Sequence, residues 1–285
     1  MFSAIGKFIK WIGDHFKGML FLLILALVFM PNTDTTSSNA NLQEIKLSGP
    51  ILSADKILKE IEKAQEAKNI KGVLFNVNSP GGAVPPSIEI SYAIKELRKH
   101  KPVIVYASGI IASGSYYASI YANKIIANPG SIVGSIGVIM ESANVEKLMK
   151  TIGVETQIVK QGTYKEAGTP TRKWTDAERT ELETLTKDTY TLFVSDVADA
   201  RGLKVEDAKS YADAHIFSSK RAKEVGLIDK IAVKSEAKAV LMQEANVTNA
   251  VWKKKDKLDS FFDKLEGKSI LHLQSYFYGL KSTLF

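Results

Sequence analysis

An apolar run, Pro102-Val-Ile-Val-Tyr106, leads without a break into thirteen residues from Ala107 to Ser119, Ala-Ser-Gly-Ile-Ile-Ala-Ser-Gly-Ser-Tyr-Tyr-Ala-Ser. The run has strand composition, and the small residues after it let a backbone turn sharply and pack closely. The stretch therefore predicts a strand, a tight turn and a helix beginning near Ser113. A serine at that position has two readings. It is an ordinary helix N-cap, or it is a nucleophile beside unpaired backbone N–H groups and a helix dipole that favour negative charge on a bound carbonyl oxygen.

The surrounding sequence alternates strand and helix signals. Residues 44–50 read as a strand ending in a turn, and residues 54–68 as a helix with Ile57, Leu58, Ile61 and Ala64 on one face. A strand over 70–77 ends in Asn78-Ser-Pro-Gly-Gly82, and a helix over 86–100 precedes the run at 102. Further strands are predicted at 124–127, 136–140, 154–160 and 227–233, with a helix at 145–152. A long helix is predicted from the capping box Thr175-Asp-Ala-Glu178 to Arg201-Gly202. Such alternation predicts an α/β domain with a mostly parallel sheet, in which ligands collect at the carboxyl ends of strands. Both Gly81-Gly82 and Ser113 lie at such ends.

The chain of 285 residues carries a net charge of +7, distributed unevenly. Residues 1–17 hold +2 and residues 246–285 hold +3, so the 228 residues between them carry only +2. This argues against a nucleic-acid-binding body and suits terminal segments that touch anionic membrane surfaces. The absence of cysteine excludes disulfides, thiolate metal sites and a cysteine nucleophile.

Met19 to Met30 is unbroken apolar sequence closed by Pro31. Twelve helical residues cover roughly 18 Å, against a hydrocarbon core of about 30 Å, so the run fits either a short anchor or the core of a cleaved signal peptide. The segment before it favours the anchor: Phe2, Ile5, Ile9, Ile12 and Phe16 recur at helical spacing, with Lys7, Lys10, Asp14 and Lys17 on another face. The expected organisation is a cytoplasmic amphipathic segment at 1–17, a transmembrane signal-anchor at 18–31, a linker at 32–42, a catalytic domain at 43–245 and a basic amphipathic tail at 246–285. The basic flank places the N-terminus in the cytoplasm and the body outside it.

Candidate chemistry is confined to four short segments. Gly81-Gly82 after Pro80 reads either as a plain turn or as a presenter of bare N–H groups to a substrate carbonyl. A nucleophile at Ser113 needs a base, yet none of the four histidines (His15, His100, His215, His272) sits at a strand end beside an orienting acid. A lysine serves when burial disfavours its charged form. Lys165, in the Gly-bounded segment Gly162-Thr-Tyr-Lys-Glu-Ala-Gly168, is the candidate, against the ordinary reading of a solvated surface charge.

Ser-Pro-Gly-Gly at 79–82, Ala-Ser-Gly-Ser-Tyr-Tyr at 112–117, Gly-Ser-Ile-Gly-Val-Ile at 134–139 and Gly-Thr-Tyr-Lys at 162–165 occur in an order that resembles the signal peptide peptidase A (protease IV) family. Its members are membrane-anchored Ser-Lys serine proteases with a fold similar to the Clp protease and crotonase families. The resemblance covers about residues 43–235, with a serine-to-lysine spacing of 52. It departs where members carry Gly-Gly and this chain has Gly114-Ser115, and again around Ile216-Phe-Ser-Ser-Lys220. The resemblance implies Ser113 as nucleophile, Lys165 as general base, Ser135 holding the lysine amine, and the N–H groups of Gly82 and Gly114 as the oxyanion hole, with no cofactor and no metal. It also implies apolar peptide substrates such as cleaved signal peptides, a homo-oligomeric ring, no nucleic-acid partner, and a bacterial inner-membrane location with the catalytic domain on the outer side, in contact with membrane lipid. The alternatives are a catalytically inactive, membrane-tethered interaction module and a crotonase-like acyl-CoA enzyme using Gly82.

Overall fold

The computed structural model describes residues 10–22 and 39–254. The chain divides into two units, Met1–Ser38 and Asn39–Phe285. In the first, residues 10–22 form helix α1. The remainder of the anchor expected at 18–31, and the tail beyond residue 254, lie outside the described residues. Among the described residues no helix is long and apolar enough to cross a membrane.

The second unit is built on a seven-stranded sheet. Strands β1 (Leu42–Ser48), β2 (Gly72–Ser79), β3 (Val103–Ala112), β4 (Lys124–Ala127) and β7 (Lys230–Ile231) run in that spatial order, all parallel. The strands are apolar on both faces, as a covered parallel sheet requires. Val73, Phe75, Val77, Val103, Val105 and Ala107 enter the larger core on one face. Their alternates Leu74, Ile104 and Tyr106 enter a smaller core on the other, because side chains switch faces at every residue.

Helix α2 (Asp55–Glu66) contributes Ile57, Ile61 and Ala64 to the larger core, a spacing of one helical face. Helix α3 (Val84–Leu97) opens with a proline in its first turn, where the missing N–H removes no hydrogen bond, and buries Ile90, Ile94 and Leu97. Helix α9 (Lys234–Glu244) closes the opposite face with Ala237 and Leu241.

Strand β3 positions the site. Its first half pairs with β4, through Ile104–Ala107, and its last three residues pair instead with β5 (Ile132–Gly134). The handover coincides with a register shift against β2 between Val77 and Ser79, where the Asn78 side chain accepts the Ile110 N–H at 3.0 Å. A single edge strand, β6 (Ile216–Ser218), pairs antiparallel with β5, so the sheet is mixed rather than wholly parallel. Helix α4 (Gly114–Tyr117) follows β3 immediately, and α5 is Glu146–Thr151.

Helix α6 (Asp176–Arg201) carries the expected capping box, with the Thr175 hydroxyl accepting from the Glu178 N–H and the Glu178 carboxylate accepting from the Thr175 N–H. Gly202 ends it in a left-handed cap. Short helices α7 (Ala208–Tyr211) and α8 (Ser219–Glu224) complete the fold.

The sequence reading departs from this architecture at several places: β5 and β6 were not expected, and the strand expected at 227–233 is only Lys230–Ile231. Residues 136–140 and 154–160 form no strand, since neither pairs with a strand among the described residues. A strand is stabilised by its ladder and its cross-strand neighbours, not by its own composition. The packed body is also wider than 43–245. Ala40 is buried, the Asn41 N–H donates to the Val251 carbonyl at 2.8 Å, and the Lys253 N–H donates to Leu42 at 2.8 Å.

Candidate active site

Ser113 sits between the end of β3 and the start of α4 with φ 52° and ψ −126°. A non-glycine residue in that region is uncommon and is held only where its surroundings over-determine it. The surroundings here are backbone: the Ser113 N–H donates to the Gly134 carbonyl at 2.8 Å, and its carbonyl accepts from Tyr117 at 3.0 Å. Its side chain makes no cap hydrogen bond, so Ser113 occupies the N-cap position without doing an N-cap's work. Helix α4 is only four residues long. The dipole invoked from sequence is therefore small, and the individual N–H groups carry whatever anion stabilisation the turn provides.

Those N–H groups are brought together by glycine. A Cβ on Gly81, whose φ is +96°, would lie 2.6 Å from the Gly114 nitrogen and 2.9 Å from the Ser113 Cβ. A Cβ on Gly82 would lie 2.2 Å from the Ile51 carbonyl oxygen. Only bare backbone allows the 80–83 turn to pass between Ile51 on one side and Ser113-Gly114 on the other. The turn is pinned by hydrogen bonds from Ile51 N–H to Gly81 and from Ala83 N–H to Ile51, both 2.8 Å. The Gly82 N–H has no acceptor among the described residues, and Gly114, as first residue of α4, has none within its helix.

Ser115 has a structural role that the sequence reading missed. Its buried hydroxyl accepts from the Ala112 N–H at 2.9 Å and donates to the Ser79 carbonyl at 2.6 Å, tying the end of β2 to the turn around Ser113. The departure from Gly-Gly at this point thus supplies a fastening rather than a misfit. Ser87, also buried, donates to the Ala83 carbonyl at 2.7 Å and backs onto Gly114.

Ser113, Gly82 and Gly114 line a cleft whose walls include Val84, Ile88, Leu192 and Phe193. Tyr117 lies deeper, its ring 4.6 Å from that of Phe193 and its hydroxyl donating to Asp196. Burial, then the Asp196 carboxylate, hold the Tyr117 phenol well above its ordinary pKa, so it stays neutral as a donor. Ser135, also at positive φ (50°), follows directly on Gly134, which holds the Ser113 N–H, and its own N–H donates to His215 at 2.7 Å.

Lys165 is not brought to this group within one chain. It is exposed, does not line the cleft, and its ammonium has no hydrogen bond or ion pair among the described residues. The described histidines are engaged elsewhere. His15 Nδ1 lies 2.8 Å from the Trp11 carbonyl, His100 pairs with Glu96, and the His215 ring packs against Phe217 at 6.0 Å.

Residues 95–248 match the family model described as Peptidase family S49, which is more than half of the chain. The chain belongs to peptidase family S49. Among relatives of this S49 chain, a candidate protease of Methanocaldococcus jannaschii is 42% identical over 193 residues, which are 68% of this chain and 61% of that protein. A candidate signal peptide peptidase SppA of Enterococcus faecium is 33% identical over 79% of this chain and 65% of its own length. The chloroplastic serine protease SPPA of Arabidopsis thaliana is 32% identical over 70% of this chain and 30% of its own. The S49 chain thus spans less than two thirds of these three proteins, and the family resemblance drawn from its four motifs is borne out.

Proposed function

We propose that this S49 chain is a membrane-tethered serine endopeptidase that cleaves apolar peptides, such as remnant signal peptides, with Ser113 as nucleophile and Lys165 as general base. The observation that carries the reading is the placement of the unengaged Ser113 hydroxyl, on a strained backbone, beside the Gly82 and Gly114 N–H groups at the mouth of an apolar cleft. The serine protease name of the Arabidopsis relative supports it.

In this mechanism Ser113 Oγ attacks the scissile carbonyl while the neutral Lys165 amine takes the hydroxyl proton. The carbonyl oxygen, now an anion, receives the N–H groups of Gly82 and Gly114. A preorganised donor of this kind contributes about 2.7–4 kcal/mol to the transition state. Collapse of the tetrahedral intermediate passes the proton from Lys165 to the leaving amine and leaves an acyl-enzyme on Ser113. A water deprotonated by Lys165 then attacks the acyl carbon and releases the second product. Ser135 holds the lysine amine in place.

A lysine base needs desolvation to be neutral, and Lys165 is exposed in the single chain. The segment that bears it is unusually apolar for a surface: Ile152 is 63% exposed, Ile158 50% and Val159 99%. Packing of a second copy against this segment would bury both the apolar side chains and the lysine, so the dyad is shared between neighbouring chains of a homo-oligomeric ring. The run Met19–Met30 with its basic flank tethers the assembly, with the N-terminus cytoplasmic and the catalytic body on the outer face of a bacterial inner membrane.

The test is to co-assemble Ser113→Ala chains with Lys165→Ala chains, each inactive alone with its fold intact. Random pairing restores a complete dyad at about a quarter of interfaces when the residues come from different chains. Near-normal turnover by either single variant removes that residue from the mechanism. No recovery in a demonstrably mixed oligomer places the dyad within one chain.

A further inference from the structure

Lys165 lies in a stretch without regular structure, between the end of α5 at Thr151 and the start of α6 at Asp176. Its own turn, 162–168, is closed by local backbone bonds, such as Lys165 N–H to Gly162 at 3.4 Å and Ala167 N–H to Tyr164 at 3.0 Å. Among the described residues, the side-chain hydrogen bonds and ion pairs that leave this turn all run through Glu166, the residue next to Lys165. Glu166 accepts from Lys160 on one side and from Arg172 Nη2, at 3.1 Å, on the other.

Arg172 links Glu166 to α6. Its guanidinium donates from Nη1 to Glu178 Oε2 at 2.9 Å and from Nη2 to Glu178 Oε1 at 2.7 Å, a two-point fork on a carboxylate whose side chain is only 3% exposed. Glu178 is in turn fixed by the capping box, since Oε2 also accepts the Thr175 N–H at 2.9 Å. The chain of contacts Lys160–Glu166–Arg172–Glu178 therefore runs from both sides of Lys165 to the first turn of α6, the helix whose later turns supply Leu192 and Phe193 to the cleft. A planar fork defines orientation as well as distance, which a lysine in its place does not. Lys160 and then Arg172 hold the Glu166 carboxyl below its ordinary range, and Arg172 followed by the Thr175 N–H does the same for Glu178. Both stay ionised at neutral pH.

We infer that Arg172, through Glu166, is a positioning residue for Lys165, setting the aim of the base from the rigid N-terminus of α6 rather than from the loop that carries it. The inference rests on the reading of Lys165 as the general base. A helix cap requires only Thr175 and Glu178, whereas the bond from Arg172 to Glu166 fastens the lysine's own turn and contributes nothing to α6.

The experiment uses the full-length assembled protein and a fluorogenic apolar peptide, comparing Arg172→Ala, Arg172→Lys, Glu166→Gln and Lys165→Ala for kcat and KM, with thermal unfolding of each. Misplacing a reacting group by about 1 Å lowers rates on the order of 100-fold. Arg172→Ala is expected to lower kcat by roughly 10- to 100-fold with KM within about twofold, and Arg172→Lys to recover part of the loss. Glu166→Gln leaves the Arg172–Glu178 fork and the helix cap intact, so it reports the same kcat-specific loss, roughly 3- to 10-fold, even where Arg172→Ala does not fold. If Lys165→Ala is inactive while Glu166→Gln and Arg172→Lys keep wild-type kcat, the clamp is a helix cap alone and the inference is overturned. Losses carried in KM, or in step with the melting temperature across all variants, overturn it equally. An active Lys165→Ala enzyme fails the reading of the base itself and takes this inference with it.

Discussion

Replacing Gly82 by alanine adds one methyl group where the structure has none to spare. The new Cβ would lie 2.2 Å from the Ile51 oxygen, 2.6 Å from its nitrogen and 2.8 Å from its carbonyl carbon, where ordinary contact begins at 3.4 Å. All three are backbone atoms, so no side chain can rotate away, and the 80–83 turn has to retreat by more than 1 Å. Two hydrogen bonds hold it where it is, Ile51 N–H to Gly81 and Ala83 N–H to Ile51. Losing both destabilises the fold by about 2 kcal/mol, at about 1 kcal/mol each. For a body of this size that lowers the melting temperature by roughly 4–8 °C. The fold survives, but the Gly82 N–H moves away from the position that the proposed oxyanion hole requires. Removal of one oxyanion donor lowers kcat by roughly 100- to 1000-fold. The assay is kcat and KM on an apolar fluorogenic peptide, with active sites counted by a serine-directed phosphonate and unfolding followed in parallel. Gly130→Ala is the control, since the nearest atom to its added Cβ is 3.6 Å away. A Gly82→Ala enzyme with kcat within about threefold of wild type would refute the assignment of this N–H to the oxyanion hole.

Phe193→Ala opens the cleft wall at a side chain only 4% exposed and removes the ring packed on Tyr117. It is expected to destabilise by about 3–5 kcal/mol in denaturant unfolding and to raise KM for apolar peptides more than it lowers kcat; an unchanged midpoint would show that the ring is not part of the core. The Arg172 guanidinium, then the Thr175 N–H, lower the Glu178 pKa to about 2. A depressed carboxylate contributes stability that is fully present above the unfolded value near 4.5 and is lost as pH falls through the folded value. The melting temperature should therefore decline between about pH 4.5 and pH 2, and Glu178→Gln should flatten that segment of the profile; superimposable profiles would remove Glu178 from acid sensitivity.

Much of the architecture follows from local signals, because those signals are local physics. The 124–127 strand agrees residue for residue with β4, and the Thr175–Glu178 capping box marks the start of α6. A run of Ile-Ile-Ala or a Thr-x-x-Glu acts through its own backbone, so neighbours in sequence suffice to read it. The turn at Ser113 was legible for the same reason: small residues after a strand permit few backbone paths, and Ser113 takes one of them. The apolar runs at 136–140 and 154–160 have the same composition as true strands. Whether they become strands depends on a partner that the described residues do not supply.

What the sequence determined by itself, then, is the alternation of strands and helices from β1 to β4, the start of α6 and the sharp turn at Ser113. Only the tertiary structure decided which groups meet. The hydroxyl of Ser115 reaches Ser79, 36 residues earlier. Gly82 is set against Ile51 and Gly114, and Arg172 joins Glu166 to Glu178 across a loop with no periodicity of its own. It also left Lys165 exposed and apart from the cleft lining in the single chain. Such contacts are set by how strands pair and how helices pack over them, and no residue's own preferences encode its distance from a residue fifty positions away.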